Sequence, residues 1–360
     1  NSALATLPVS FMVLGTALAA FPAAQFMRHL GRRAGFVSAA LMAVLSCGLG
    51  YWGLTLSSFS LYCAGTGTLG ISLAFSQQFR FAATETVTPK QAGSAVSLLL
   101  LGSVGGAIVG PELVARSEQI RPEGGFVGAL VGAAVLFVLA AFLLSQLSLR
   151  GKGHTADASA QTVNVSLSTI TPLVWLAIAA GVVGQGVMTF VMTATPVSMH
   201  VMEGHSLSDT ASVVRAHVLA MYLPSLVSGW LIARFGARSL LAGGLIIFAA
   251  TMAAALAGQT VVHYGLAMGL LGAGWNFLFV GGTTLLVQSA HPDSQLQLQG
   301  YNDTAVFGSA AIASFAAGAV LEYLGWEMVV VCTMFPVLLL AVLWVRLRAA
   351  PLPIYGTPDL

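Results

Sequence analysis

The sequence predicts an all-α protein that crosses a lipid bilayer many times. Hydrophobic residues make up 57% of the 360 residues and charged residues only 7%, whereas soluble domains carry about 25% charged residues. The mean hydropathy is +0.88. Apolar runs of about 20 residues, the length that spans a bilayer as a helix, recur along the whole chain. These runs are too many and too long for a secretory signal peptide.

Eleven of the apolar runs are predicted as membrane spans, with boundaries accurate to a few residues. One longer polar stretch, "LRGKGHTADASAQTVNVS" at 149–166, follows the fifth span and has the composition of a flexible linker. The predicted spans are 3–27, 35–55, 58–83, 91–115, 124–148, 171–196, 213–233, 239–258, 261–289, 301–321 and 327–347.

Basic residues predict the orientation of these spans. If the loop after the first span is cytoplasmic, ten of the fourteen Lys and Arg residues fall on the cytoplasmic side. Only Arg116, Arg121 and Arg215 fall on the other side, and Arg80 lies within a span. This excess follows the positive-inside rule and predicts a cytoplasmic C-terminus. The ten residues are Arg28, Arg32, Arg33, Lys90, Arg150, Lys152, Arg234, Arg238, Arg346 and Arg348.

The two halves of the chain repeat each other weakly. "RHLGRRAGF" after the first span corresponds to "RFGARSLLA" after the seventh, and Gly31 and Gly236 are 205 residues apart. Pro89 and Pro292 are separated by a similar 203 residues. An internal repeat of six helices is therefore expected, with the first helix missing from the first half. The expected parts are an N-terminal helical bundle at 1–148, a cytoplasmic linker at 149–170, a C-terminal bundle at 171–348 and a cytoplasmic tail at 349–360.

The loop that contains Gly31, Arg32 and Arg33 resembles the basic loop between the second and third helices of the major facilitator superfamily (MFS) of secondary transporters. "HVLAMYLPSLVSGWLIARFG" (217–236) and "GAGWNFLFVGGTTLL" (272–286) are similar to a bacterial subgroup of that superfamily. The resemblance implies two six-helix bundles in a bacterial inner membrane. It also implies transport of a small organic solute by alternating access.

Two departures weaken the drug–proton antiporter as the specific subgroup. Such antiporters usually carry an Arg near the outer start of the fourth helix, where this chain reads "LYCAGTGTLG" (61–70). Their fifth helix carries Gly-Pro followed by further glycines, whereas Glu112 follows Gly110 and Pro111 here. Uptake and export therefore both stay open.

Arg80 and Asp303 are charges inside predicted spans, where a central charge costs about 2.5–3.5 kcal/mol. One lies in each half, on helices that correspond to the fourth and eleventh of the family, which meet at the cytoplasmic side. We hypothesise that both residues, with Asn302 beside them, join an inner gate and that Asp303 carries a proton. Alternatively, Arg80 extends to the membrane interface, and Asp303 or Asn302 caps the start of its helix.

Glu112 is a second candidate for proton coupling. A kink at Gly110-Pro111 would place it in the central cavity, whereas an ion pair with Arg116, four residues on, would keep it at the outer interface. We favour the interface.

Four polar or aromatic residues in mid-span are predicted to contact substrate: Gln77, Gln185, Trp275 and Asn276. Gln77 and Gln78 point about 100° apart on a helix, so one of them is expected to face the cavity. Gln185 is flanked by glycines, which permit local unwinding at a binding site. The alternative for each is a hydrogen bond that ties two helices together.

The basic loop of Arg28, Gly31, Arg32 and Arg33 is expected, by the resemblance, to act as a conformational latch. The alternative is a role in topology alone. The echo of this loop in the second half favours the latch. The Gly-rich runs "GTGTLG" (65–70) and "GSVGG" (102–106) predict close helix packing, since they lack the Lys of a phosphate-binding loop.

Secondary transport, with proton coupling, is the predicted function. The alternative is an MFS-like membrane assembly factor or scaffold that does not transport. No catalytic constellation or metal site is expected, and the three cysteines fall in apolar runs typical of packing residues. The expected partners are a small neutral or weakly charged solute, protons and the bilayer. Neither a cofactor nor nucleic acid is expected, and the protein is expected to be a monomer.

Overall fold

The computed structural model is all-helical over the residues that it describes, and those residues contain no strand. It describes residues 7–120, 127–147, 170–291 and 294–352, excepting the side chains of 89, 107–108, 110–120 and 207. The helices are α1 (Leu7–Thr55), α2 (Phe59–Ser76), α3 (Phe79–Glu85), α4 (Ala92–Ile120), α5 (Val127–Ser145), α6 (Pro172–Val197), α7 (Leu207–Tyr222), α8 (Ser225–Phe235), α9 (Ala237–Leu256), α10 (Val261–Ser289) and α11 (Gln295–Leu347).

Three glycines reverse or break the helical path with nearly the same backbone geometry. Gly31 divides α1 at φ 86° and ψ 159°, and Gly236 separates α8 from α9 at φ 84° and ψ 160°. Gly325 divides α11 at φ 79° and ψ 175°. This region of backbone space is accessible almost only to glycine. Gly31 and Gly236 are the pair that the sequence repeat aligns, so the two halves share this turn.

Seven helical segments of the described chain are long and apolar enough to cross a membrane, by length and composition. Because α1 and α11 are each divided at a glycine, each of them consists of two helical segments. The prediction of an all-α polytopic membrane protein is confirmed. The eleven crossings remain a prediction.

Two predicted spans are interrupted where polar contacts form. The span predicted at 58–83 consists of α2 and α3, separated at Gln77 and Gln78. The span predicted at 213–233 consists of α7 and α8, separated at Leu223 and Pro224. Proline lacks the N–H that would continue the helical ladder, which accounts for the second break.

Glycine lets α1 and α2 approach closely, as expected for the run at 65–70. A Cβ at Gly70 would lie 2.0 Å from the carbonyl oxygen of Met12, and one at Gly15 would lie 2.4 Å from that of Gly67. The same expectation is wrong for the run at 102–106. Its three glycines are exposed, and a Cβ built on any of them meets no atom of the described residues within 4 Å.

The first half (α1–α5) and the second half (α6–α11) meet closely at one end, which we call the basic end. It carries Arg28, Arg33, Lys90 and Arg234. A Cβ at Gly229 of α8 would lie 2.7 Å from the Cα of Ser94 in α4, and the rings of Phe21 and Tyr301 stack with centroids 5.1 Å apart. The conformation is thus closed at the basic end.

Candidate functional site

A buried ion pair joins the two halves near the basic end. The Arg80 guanidinium of α3 contacts the Asp303 carboxylate of α11, and these residues are 2% and 0% exposed. Two amides also donate to this carboxylate, Gln78 Nε2 at 2.8 Å and Asn302 Nδ2 at 3.0 Å. The carboxylate therefore has donors from both halves, as a buried charge requires.

The geometry excludes both alternatives for these residues. Helix α11 begins at Gln295 after Ser294, so Asp303 and Asn302 lie two turns inside the helix and neither caps it. The polar residues at 295–300, which precede the predicted span at 301–321, form the first turns of α11. Arg80 does not extend to an interface, because it is almost completely buried.

Arg32 forms a second layer of contacts beside this pair. The turn at Gly31 directs Arg32 into the protein, where its guanidinium binds both oxygens of Glu85. It also donates to Gln78 Oε1 at 2.9 Å and, across the halves, to Gln299 Oε1 at 2.7 Å. Arg33 is exposed and Arg28 half-buried, so the predicted latch loop contributes Arg32 to the interior.

We call these contacting residues the polar cluster: Arg32, Gln78, Arg80, Glu85, Gln299, Asn302 and Asp303. It contains two arginines and two carboxylates, so its formal charge is balanced. Glu85 and Gln299 were not predicted, and Gln78 was expected only as the alternative to Gln77. Helical spacing carried a signal for them, because Gln299 precedes Asp303 by four residues and Glu85 follows Gln78 by seven.

The second half's copy of the latch loop makes different contacts. Ala237 occupies the position equivalent to Arg32, next to the turn glycine. The following residue, Arg238, donates to the carbonyl oxygens of Leu347, Arg348 and Ala350 at the end of α11. The repeat therefore preserves the backbone turn but not the chemistry, and the echo in the second half is no argument for a second latch.

Trp275 and Gln185, both predicted substrate contacts, lie side by side in the second half. The indole Nε1 of Trp275 donates to Gln185 Oε1 at 2.8 Å. The Trp275 ring stacks on Phe279 with centroids 4.7 Å apart and meets Tyr222 edge to face at 6.2 Å. We call Tyr222, Trp275 and Phe279 the aromatic shelf, with Gln185 as its polar edge.

The aromatic shelf touches the polar cluster through Phe279. The Arg80 guanidinium carbon lies 4.3 Å from the centroid of the Phe279 ring and 4.7 Å from that of Phe81. Both distances are within the range of cation–π attraction. Phe279 was not among the predicted substrate contacts, although it follows Trp275 by one helical turn.

The Asn276 side chain is surrounded by protein and hydrogen-bonds to neighbouring helices. It is fully buried, and its Nδ2 donates to the Met221 carbonyl and to Ser225 Oγ, both at 2.7 Å. Its Oδ1 accepts from Ser228 at 2.7 Å. These partners flank the break between α7 and α8, so Asn276 satisfies polar groups that the interrupted helix leaves open. The predicted substrate contact is thereby replaced by an interhelical one in this conformation.

The remaining candidates are less informative. Gln77 is half-buried at the C-terminal cap of α2, and Gln78 takes the interior position instead. The backbone of Glu112 belongs to α4, but its side chain lies outside the described residues. Among the described residues, no group of three His, Cys, Asp or Glu side chains could hold a metal ion.

Comparison with known proteins gives the family. The family model of the Major Facilitator Superfamily matches residues 204–357. The riboflavin transporter RfnT of Brucella anthropi is 38% identical over 354 residues, 98% of this chain and 88% of that protein. YddS of Bacillus subtilis, named an uncharacterized MFS-type transporter, is 30% identical over 89% of this chain and 77% of its own length.

The fold agrees with these sequence similarities. The fucose:proton symporter FucP of Escherichia coli matches with a TM-score of 0.76 over 97% of this chain and 91% of that one, at 18% identity. At this identity the likeness shows the fold alone. On the fold and the sequence relatives together, the chain belongs to the major facilitator superfamily.

Proposed function

We propose that this protein transports riboflavin, or a solute with a similar flat aromatic ring system, by proton-coupled alternating access. The observation that carries the proposal is the contact between the aromatic shelf and the buried ion pair that holds the two halves together. The relative named a riboflavin transporter, which is 38% identical over nearly the whole chain, supports the substrate.

The chemistry of the shelf suits such a substrate. A flavin ring is planar and aromatic, and aromatic pairs stack favourably with offset rings. Its pyrimidine edge carries carbonyls and an imide N–H, which the amide of Gln185 can match as both donor and acceptor. Trp275 and Tyr222 would hold the ring, and Gln185 would select its polar edge. None of these three side chains needs a charged substrate.

The polar cluster gives alternating access a physical basis. The basic end opens only if the Arg80–Asp303 contact and the Arg32–Gln299 bond are broken, because both cross between the halves. A proton on Asp303 removes the negative charge and leaves Arg80 unpaired in the interior. An unpaired buried charge is costly, so protonation would favour a conformation in which the basic end opens and Arg80 meets water.

The proposed topology follows the basic residues. The basic end faces the cytoplasm of a bacterial cell, in the inner membrane, and the C-terminal tail lies on the same side. The two bundles are assigned to 1–148 and 171–348, joined by a cytoplasmic linker, and the transporting unit is a monomer.

Flux of radiolabelled riboflavin in proteoliposomes tests the proposal. Full-length protein would be reconstituted, and flux would be measured in both directions with and without an imposed pH gradient. We expect accumulation that depends on the gradient and that unlabelled riboflavin inhibits. Liposomes containing an Asp303→Asn variant serve as the matched control and should lose the response to the gradient. The absence of riboflavin flux in either direction through folded protein would contradict the substrate.

A further inference from the structure

Phe279 belongs to the aromatic shelf and also contacts the polar cluster. Its ring is 5% exposed, stacks on Trp275 on the shelf, and lies over the Arg80 guanidinium in the cluster. We infer that Phe279 couples substrate binding to the gate formed by Arg80 and Asp303. A ring bound on the shelf shifts Phe279, and this shift weakens the cation–π contact that helps to hold Arg80 against Asp303. The identity of the ligand in this inference rests on the proposed function. The effect of Phe279 on the Arg80–Asp303 contact does not depend on that function.

Arg80 depends on Phe279 because the polar contacts of its guanidinium are incomplete. Its Nε is buried and has no hydrogen-bond partner among the described residues. The charge is therefore stabilised by Asp303 and by the faces of Phe279 and Phe81. In a buried site a cation–π contact is worth more than at a surface, because no water competes for the cation. Removing one ring face should therefore weaken the closed state.

The direction of the effect follows from the packing. Trp275 and Phe279 stack at 4.7 Å with ring planes 20° apart, which leaves no space for a further ring between them. A flat ligand that inserts into this stack must displace at least one of these two side chains. A displacement of Trp275 is transmitted to Phe279 by direct contact, and a displacement of Phe279 reaches Arg80. Ligand and proton thus act on the same ion pair, one through Arg80 and the other through Asp303.

The chain offers a matched control on the same helix. Phe277 lies two residues before Phe279, on another face of α10, where its ring faces Gly243 of α9. Phe277→Leu removes an aromatic ring of equal size from α10 without touching Arg80. Phe279→Leu and Phe279→Met remove the ring face above Arg80, and Met preserves more of the side-chain volume. Phe279→Tyr keeps the ring face.

Opening of the basic end can be measured as the distance between two spin labels by double electron–electron resonance. Labels would be placed at His29→Cys and Ser239→Cys, two exposed positions in different halves at the basic end, in protein whose three native cysteines are replaced. In ligand-free protein we expect Phe279→Leu and Phe279→Met to raise the open population about fivefold, the effect of losing one cation–π contact of ordinary strength. Phe279→Tyr and Phe277→Leu should match the wild type. Equal open populations in all variants would overturn the inference.

A second arm adds riboflavin and separates the two proposals. Riboflavin binding is measured by fluorescence titration, and its effect on the open population is measured with the same labels. We expect wild type and Phe277→Leu to respond to riboflavin, and the Phe279→Leu and Phe279→Met variants to bind it with a smaller response. Loss of binding by the wild type contradicts the proposed substrate, whereas the ligand-free comparison still decides the role of Phe279. Full response in the Phe279 variants overturns the coupling.

Discussion

Arg80 and Asp303 form the contact on which the proposed gate depends. Each charge is buried and is matched by the other, so removing one partner leaves an uncompensated charge in an apolar interior. Such a change typically costs about 3–5 kcal/mol, whereas removing both charges costs much less. The pair therefore makes a clear double-mutant test.

We predict that Arg80→Gln and Asp303→Asn each lower thermal stability and abolish gradient-driven flux. The double variant should recover most of the lost stability, because neither charge is then unpaired, but it should not recover coupling. Thermal unfolding in detergent and proteoliposome flux measure the two effects. Additive losses of stability would show that the two side chains do not interact.

Gln185 and Asn276 separate a ligand-facing amide from a structural one. Asn276 has three hydrogen bonds to the break between α7 and α8, and removing a partner from a buried polar group costs about 1–3 kcal/mol. Gln185 is half-buried and bonds to Trp275 of the shelf and to Thr189, one turn further along α6.

The expected result is that Asn276→Ala lowers the unfolding temperature, whereas Gln185→Ala leaves it nearly unchanged and weakens riboflavin binding by about tenfold, the effect of a lost hydrogen bond in a specific site. Thermal unfolding and fluorescence titration of both variants make the comparison. The assignment is wrong if Asn276→Ala keeps full stability and loses ligand affinity.

At the scale of helices, the repeated glycine turn positions two arginines with different tasks. Gly31 and Gly236 have almost identical backbone angles, yet Arg32 joins α1 to α3 and α11 across the halves, and Arg238 binds the carbonyl end of α11 within one half. A cation at a helix C-terminus satisfies carbonyls that lack partners and complements the helix dipole.

Arg32→Gln and Arg238→Gln should therefore have opposite profiles. We expect Arg32→Gln to increase opening of the basic end and reduce coupled flux several-fold, because it breaks the bond to Gln299. For Arg238→Gln we expect a lower unfolding temperature with near-normal flux per folded molecule. Spin-label distances and thermal unfolding distinguish them, and a common loss of both properties in both variants would contradict the division of roles.

At the scale of the whole molecule, closure at the basic end is what makes the structure one state of a cycle. The aromatic contact between Phe21 in α1 and Tyr301 in α11 crosses the halves at this end. Rigid packing of small residues behind it, such as Gly300 against Ala24, favours movement of whole bundles over local deformation.

A short cross-link between the halves should arrest the cycle without preventing folding. With cysteines at Phe21→Cys and Tyr301→Cys in protein without its native cysteines, a short bifunctional methanethiosulfonate reagent should reduce flux to background. Reduction of the cross-link should restore flux, and single-cysteine variants should be unaffected by the reagent. Undiminished flux through fully cross-linked protein would exclude opening at the basic end.

Arg80 and Asp303 are the part of the site that could be predicted from the sequence. Their low-hydropathy positions inside apolar spans marked them as charges that need partners, and their contact joins positions 223 residues apart. Glu85 and Gln299 were not predicted, and Gln77 was preferred to Gln78, because the interruption between α2 and α3 and the early start of α11 depend on contacts between helices. Asn276 and Gln185 are both amides in apolar helices, and only their neighbours distinguish them. Their roles, like the gate, stay predictions.

The sequence by itself determined that this is a helical membrane protein in two related halves, where its basic residues collect and that Gly31 and Gly236 are equivalent positions in the halves. These properties depend on hydropathy, charge and backbone freedom, which are local to each segment. Only the tertiary structure decided which polar side chains meet, that one of two repeated arginine positions enters the interface, and that Phe279 connects shelf and ion pair. Those outcomes depend on how helices far apart in sequence pack, and on the high cost of leaving a buried polar group without a partner.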